Sequence, residues 1–189
     1  MKDIIYNLVP IITERLYINE ITVDDLIQIR METKYEDMYK MTCRPIMNRE
    51  GSELAEFYKN IIKKENAFIF SINRKEGGLV GKISFSDFNP RNRSLELGYY
   101  EIPRFRKNGY MKEALISLLN IFFEKIKINK IYAQTGSFNA ESIGLLENLK
   151  FKQDGVLRNH HKLNGKLYDD YIFSMLYNEW QCFKSATGI

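Results

Sequence analysis

The 189-residue sequence predicts an α+β fold, a mixed and mostly antiparallel sheet with helices on its faces. Three observations carry this. Three strand-like runs between residues 67 and 102 are separated only by turn compositions, the pattern of an antiparallel meander. The second half alternates strand, helix and strand, which joins parallel neighbours by a right-handed crossover. Apolar residues elsewhere recur at helical spacing in stretches long enough for helices.

Each element can be justified in chain order. "MKDIIYNLVPII" has one lysine, an acid at position 3 and an apolar run broken by Asn7 and Pro10, without a small-residue cleavage site. No secretory leader is therefore expected. "RLYINEI" (15–21) reads as the first strand. In "TVDDLIQIRMET", Thr22 is placed to cap a helix, acids fill the first turn, and Leu26 and Ile29 mark its apolar face. Residues 35–51, rich in Met, Tyr and Arg, read as irregular. From Ser52, the spacing of Leu54, Phe57, Ile61 and Ile62 predicts a second helix.

The meander follows: "AFIFSI" (67–72), the turn "NRKEGG", "LVGKISFSDF" (79–88), the turn "NPRNRS", and "LELGYYEI" (95–102). Beyond a glycine turn, Met111, Ala114, Leu115, Leu118, Leu119, Phe122 and Ile126 form one helical stripe. Then come the strand "KIYAQT" (130–135), the loop "GSFN", a helix at 140–149, a strand at 152–158, the turn "KLNGK" and a last strand at 168–176. "NEWQCF" reads as a closing helical turn.

Repeats, low-complexity tracts and Pro/Ser linkers are absent, so residues 1–189 are expected to form a single domain. Hydrophobic residues make up 44% and charged ones 28%, and no apolar run reaches the roughly 18–20 residues of a membrane span. Cys43 and Cys182 are far apart and are read as free thiols of a reducing cytoplasm. A net charge of +4 is mild and suits an anionic small ligand, a ribosomal or nucleic-acid neighbour, or nothing in particular. A cytoplasmic protein with no membrane partner is expected, and a homodimer is allowed.

The stretch "ELGYYEIPRFRKNGYMKEAL" (96–115) passes from an apolar strand through a knot of cations to a helix start. Free N–H groups and the positive dipole end of the helix point into that turn, and Gly109 lets a ligand approach the backbone. Arg104, Arg106 and Lys107 add full charges. Together they form a seat for a phosphate or pyrophosphate. A single helix-end contact contributes only about 0.3–1 kcal/mol, so several donors must act together. The turn alone is equally compatible with a glycine helix start among solvated cations.

The same stretch resembles the acetyl-CoA-binding segment of the GNAT superfamily of N-acyltransferases, whose signature is Q/R-x-x-G-x-G/A. Arg106 and Gly109 match the first and fourth positions, with Asn108 and Tyr110 between and after them. Met111 stands where Gly or Ala is usual, and Lys107 where a further glycine is common. The C-terminal part resembles the RimJ/RimL-like branch, the ribosomal-protein N-terminal acetyltransferases. The matching residues are Asn139, Ser142, Leu149 with Phe151, Asp154-Gly155, Asp169 and Glu179-Trp180. "ITERLYINEITVDDL" resembles the opening T-x-R-L of that branch, with Asn19 where Arg is common. The resemblance covers roughly residues 12–181.

This resemblance implies a GNAT fold whose central sheet is splayed at the fourth and fifth strands, the fourth being bulged. Acetyl-CoA, the co-substrate, would wedge into the gap. Backbone groups near Tyr100–Ile102 would pair with its pantetheine arm like an added strand. Arg104, Arg106, Lys107, Asn108, Gly109, Tyr110 and Met111 would hold its pyrophosphate. Asn139 and Ser142 would bond the arm near the thioester, although Asn139 is also a good N-cap for the 140–149 helix. Pro103 fits as a strand end.

For Glu96 the resemblance implies a general base that takes a proton from the acceptor amine, a contribution of typically 10²–10⁴-fold. The alternative is an exposed strand acid paired with Arg93 or Lys82. Some members carry on the helix matching 140–149 a Tyr that protonates the departing sulfur; Leu146 stands there instead, leaving Ser142 or a nearby Tyr as weak donors. His160-His161 lie adjacent on a strand, point to opposite faces and do not suit one metal ion, so they are read as an exposed hairpin edge. No metal site is expected. Tyr35, Tyr39, the segment 42–51 and the hairpin 159–167 are expected to line the acceptor site.

The implied reaction is transfer of an acetyl group to a primary amine by direct attack in a ternary complex. Protein N-termini, polyamines, amino sugars and aminoglycosides all fit as acceptors, small molecule or peptide. A non-catalytic acyl-CoA-binding module of the same fold is the alternative. A nucleic-acid partner is not expected, because the cations are too few and too local for a long footprint.

Overall fold

Alternating apolar residues between positions 68 and 101 build the centre of the molecule, and the flanking elements extend it in both directions. The computed structural model describes residues 2–42 and 46–188. In chain order it contains α1 (Lys2–Tyr6), β1 (Ile11–Ile12), β2 (Leu16–Glu20), α2 (Val23–Glu32), α3 (Tyr35–Met41) and α4 (Gly51–Ile62). The meander follows as β3 (Phe68–Arg74), β4 (Leu79–Asn89) and β5 (Ser94–Glu101). The second half comprises α5 (Tyr110–Asn120), β6 (Lys130–Gly136), α6 (Ala140–Asn148), β7 (Lys152–Leu163), β8 (Lys166–Leu176) and α7 (Tyr177–Thr187).

These strands make one eight-stranded sheet in the order β1-β2-β3-β4-β5-β6-β8-β7. Every neighbouring pair is antiparallel except β5 and β6, which the α5 crossover makes parallel. The β7–β8 hairpin closes at Asn164–Gly165, both with positive φ (50° and 78°), the geometry that an Asn-Gly turn favours.

Side-chain alternation separates two cores. Phe68, Phe70, Ile83, Phe85, Leu95 and Leu97 bury against α5 and α7 on one face, with Trp180 fully enclosed. On the other face Ile69, Tyr100 and Ile102 meet Leu26 and Ile29 of α2, with Tyr58, Ile61 and Ile62 of α4 half-covering them. Thr22 caps α2 in a reciprocal capping box with Asp25.

Three local expectations change. The long helical stripe is not one α-helix: α5 ends at Asn120, and Ile121–Lys125 form a wider π turn closed by Ile126 N–H to Ile121 O, 3.1 Å. Ile121, Phe122, Phe123 and Ile126 are all buried across this wider turn. Residues 35–41, expected to be irregular, are helical. α3 buries none of its side chains, so it carries no apolar stripe to read. The strand expected at 152–158 runs to Leu163. Cys182 is a free, exposed cysteine; Cys43 lies outside the described residues.

The break in the sheet positions the site. β5 and β6 pair only at Ser94↔Lys130, Leu95↔Ile131 and Glu96↔Tyr132, although β5 continues to Glu101 and β6 to Gly136. These are the fourth and fifth strands of the sequence reading, with β1 now added before them. The expected bulge, however, is not in β5, whose register with β4 is continuous from Gly81↔Glu101 to Ser86↔Glu96. It lies in β4 between Ser86 and Asn89, where Asp87 takes φ 52°.

Candidate active site

Beyond Glu96 the sheet ladder is open, and its two walls are β5 and the β6–α6 corner. Ile102 N–H bonds Val80 O at 2.8 Å, so the even residues of β5 direct their backbone groups to β4. By alternation Leu97, Tyr99 and Glu101 turn theirs toward the gap. The backbone expected to receive an added strand is thus shifted by one residue from Tyr100 and Ile102. Those two are buried on the other side, with the Tyr100 and Thr33 hydroxyls 2.8 Å apart.

Across the gap, the Tyr99 hydroxyl lies 2.7 Å from Ser142 Oγ on the first turn of α6. Burial pushes the Tyr99 phenol up to about 12, only partly offset by the bond to Ser142. Tyr99 is therefore a permanent hydrogen-bonding group rather than an acid at neutral pH. Sequence reasoning did not single it out; its signal was its place one residue after Gly98, facing the same side as Leu97. Asn139 Oδ1 accepts the Ser142 N–H at 3.2 Å, so its side chain caps α6. Leu146 is fully buried in the larger core.

The glycine turn feeds α5 through two residues of positive φ, Lys107 (63°) and Gly109 (77°). Asn108 Nδ2 donates to the carbonyls of Phe105 and Arg106, both at 3.0 Å, and so holds the turn closed. Arg15 braces it from outside, donating to Asn108 O at 2.9 Å and lying over the Tyr110 ring. Met111 is buried in the core and contributes its backbone to the helix start. The cations divide. Arg104 turns away to pair with Glu32 of α2 and to cover Phe105. Arg106 stays at the gap: it donates to Glu101 O at 3.2 Å and reaches Glu141 of α6 at 3.6 Å. Lys107 is exposed.

Glu96 stands at the last paired position of β5, opposite Ser86 and Tyr132, on the sheet face that carries α2 and α4. Burial raises the Tyr132 hydroxyl, and the charges of Glu96 and Asp87 raise it further, which places two carboxylates around the fork. The two cations weighed as partners of Glu96 are placed differently. Arg93 donates to the carbonyls of Ile126 and Lys127, and Lys82 lies four residues along the strand, about 13 Å away.

Of the two histidines, His160 is exposed, but His161 is not: it is 3% exposed, and the expected exposed edge is corrected there. The β7–β8 register shifts between Leu157 and His161, with Asn159 at φ 51°, and the His161 ring packs against Phe138 with centroids 4.9 Å apart. Its Nε2 lies 2.6 Å from Tyr39 O of α3, and its Nδ1 is 3.3 Å from Asp170 Oδ1. Gln134 of β6 donates to the other oxygen of Asp170 at 2.7 Å. The hairpin, α3 and the end of β6 thereby meet around one polar cluster. Among the described residues no group of three His, Cys, Asp or Glu side chains is arranged to hold a metal ion.

Comparison with known proteins gives a consistent picture. The profile of the family described as acetyltransferase (GNAT) domain matches residues 15–152. An uncharacterized N-acetyltransferase of Bacillus licheniformis, p20, is 28% identical over 171 residues, 89% of this chain and 96% of that protein. YdaF of Bacillus subtilis, provisionally named a ribosomal N-acetyltransferase, is 28% identical over 145 residues, 77% of this chain and 73% of that protein. The crystal structure of spermidine N-acetyltransferase from Vibrio cholerae in complex with CoA and spermine superposes with a TM-score of 0.80. It is 20% identical and covers 89% of this chain and 99% of that one, a likeness of fold.

Proposed function

Because the chain belongs to the GNAT acetyltransferase domain family, and is thus an N-acetyltransferase using acetyl-CoA, we propose that the open β5–β6 ladder is where the transfer occurs. The observation that carries this is the loss of pairing beyond Glu96, immediately beside the N-terminus of α5. The pantetheine arm lies in the gap against the backbone of Leu97, Tyr99 and Glu101, and the pyrophosphate sits at Arg106–Tyr110.

Glu96, at the fork, takes a proton from the acceptor ammonium. The free amine attacks the thioester carbonyl, whose oxygen is met by backbone N–H groups of β5. The C–S bond then breaks as the attacking nitrogen gives up its second proton, which the departing sulfur or water takes, and the thiolate leaves readily with a pKa of about 8.5. Ser142, fixed by Tyr99 and Asn139, offers a hydrogen bond on that side. Holding both substrates in one cleft provides much of the rate. Arg104 contributes indirectly, by fixing the turn to α2.

The acceptor enters between α3 and the β7–β8 hairpin, where Tyr35, Tyr39 and His161 converge. We assign the chain to the RimJ/RimL-like branch, acting in the cytoplasm as one catalytic domain, with a primary amine on a small molecule or peptide as acceptor. YdaF supports a protein N-terminus, and the Vibrio enzyme a polyamine.

Thiol release from acetyl-CoA against N-terminal peptides, polyamines and amino sugars tests the activity, and turnover is expected with one class. CoA titrated at low salt against the wild type and the Arg106→Ala/Lys107→Ala double variant tests the seat. Affinity should fall at least tenfold; equal affinities would remove the pyrophosphate from this turn.

A further inference from the structure

The last residue of β5 is an acid placed where an anion is to bind. Glu101 shares the sheet face of Leu97 and Tyr99, toward α5, and its Oε1 is buried without a hydrogen-bond partner among the described residues. The charges facing it come from three other segments. From the glycine turn Arg106 donates to the backbone carbonyl of Glu101 at 3.2 Å and acts on its carboxylate through charge alone; Glu141 faces it from α6 and the Met111 amide from the start of α5. Asp37 of α3, held low first by Lys40, also feels the charge of Arg106. One guanidinium is thus shared among three carboxylates, and a pyrophosphate would add a further anion.

Resting on the reading of Arg106–Tyr110 as the pyrophosphate seat, we propose that CoA binding takes up a proton at Glu101, which yields the seat to the incoming phosphates as a neutral acid. The buried Oε1 that lacks a hydrogen-bond partner favours the protonated form, and the surroundings point the same way. Burial pushes the Glu101 carboxyl up to about 7; Arg106 and the Met111 amide pull it down, and Glu141 pushes it up. A dianionic ligand brought to the same helix end disfavours the carboxylate further, and so raises the value in the complex. The charged form also attracts the Arg106 guanidinium electrostatically, whereas the neutral form leaves that charge to the phosphates. Affinity should therefore fall as pH rises above about 7, by linkage.

The experiment is calorimetric titration of CoA at pH 7.5 in two buffers of different ionisation enthalpy, with Kd followed from pH 6.5 to 8.5. The wild type is compared with Glu101→Gln and Glu101→Leu, so that titration of the ligand's own phosphate cancels. The wild type should take up roughly half a proton or more per CoA beyond either variant. Its Kd should rise about tenfold more than theirs across the range. Identical proton counts and identical slopes in all three proteins overturn the proposal. If the Arg106→Ala/Lys107→Ala variant binds CoA as the wild type does, the seat itself is misplaced and the proposal falls with it. Weakened binding in that variant, with no difference at Glu101, refutes the proton uptake alone.

Discussion

Glu113 lies in the first turn of α5 with both carboxylate oxygens in use. Oε1 accepts from the Thr13 hydroxyl at 2.5 Å and from the Arg15 amide at 2.9 Å, while Oε2 accepts from Arg15 Nε at 2.7 Å. These bonds fasten the β1–β2 turn to the helix that begins at Gly109. The Arg15 side chain is 43% exposed, against 18% for Glu113, so the guanidinium contact is the weak one, contributing less than about 1 kcal/mol. The two inner bonds to a charged acceptor contribute about 1–2 kcal/mol each. Glu113→Ala should therefore cost about 3 kcal/mol. Glu113→Gln keeps an oxygen for both inner donors and loses only the outer contact, at about 1 kcal/mol. Urea unfolding at pH 7, with the m-value unchanged, measures both. Burial alone would raise the Glu113 carboxyl, but the bonds from Thr13 and Arg15 hold it below its usual range. A lowered folded-state value adds stability above the unfolded value, lost as pH falls through the folded one. The gap between wild type and Ala variant should hold down to about pH 4 and narrow below it. Equal losses for Gln and Ala would show that the exposed ion pair carries the energy and refute the reasoning.

Two further outcomes concern the chemistry. Glu96→Gln should lower turnover by roughly 10²–10⁴-fold near neutral pH with CoA affinity unchanged. The deficit should shrink as pH approaches the acceptor's own pKa; a small, flat ratio across the pH range would leave deprotonation to solvent. His161→Ala removes the group facing Tyr39 O and Asp170, and should raise the acceptor KM several-fold while sparing CoA affinity. Loss of CoA binding without a change in KM would place the hairpin outside the acceptor site.

What could be read from the residues, and what could not, follows from the range of the forces involved. The meander, the crossover and the Asn164-Gly165 turn depend on local pattern, and the sequence displays them. The π turn after Asn120 does not, because Phe122 and Ile126 fit a helical stripe until the core they enter is known. α3 escaped notice because it is held through its backbone by His161, 122 residues away, and not by apolar side chains of its own. At the site, Arg104 and Arg106 look alike as neighbours in a basic turn. Only the approach of Glu32 on one side and Glu141 on the other separates a strut from a residue at the gap. Tyr99 and Glu101 were invisible for a related reason. Alternation on β5 tells which residues share a face, but not that its neighbour stops pairing after Glu96.

That early end of pairing also has a mechanical meaning. The sheet is two leaves, β1–β5 and β6–β8, pinned along one edge by three residue pairs. Past the pin, among the described residues, side chains reach across the fork: Tyr99 to Ser142, and Arg106 to Glu141. A side-chain contact bends and rotates far more easily than a backbone ladder, so the fork is the compliant line of an otherwise stiff plate. A chain laid into it with its own donors and acceptors would restore the missing rungs and make the two leaves one continuous slab. The stiffness of this molecule is completed by whatever occupies the fork.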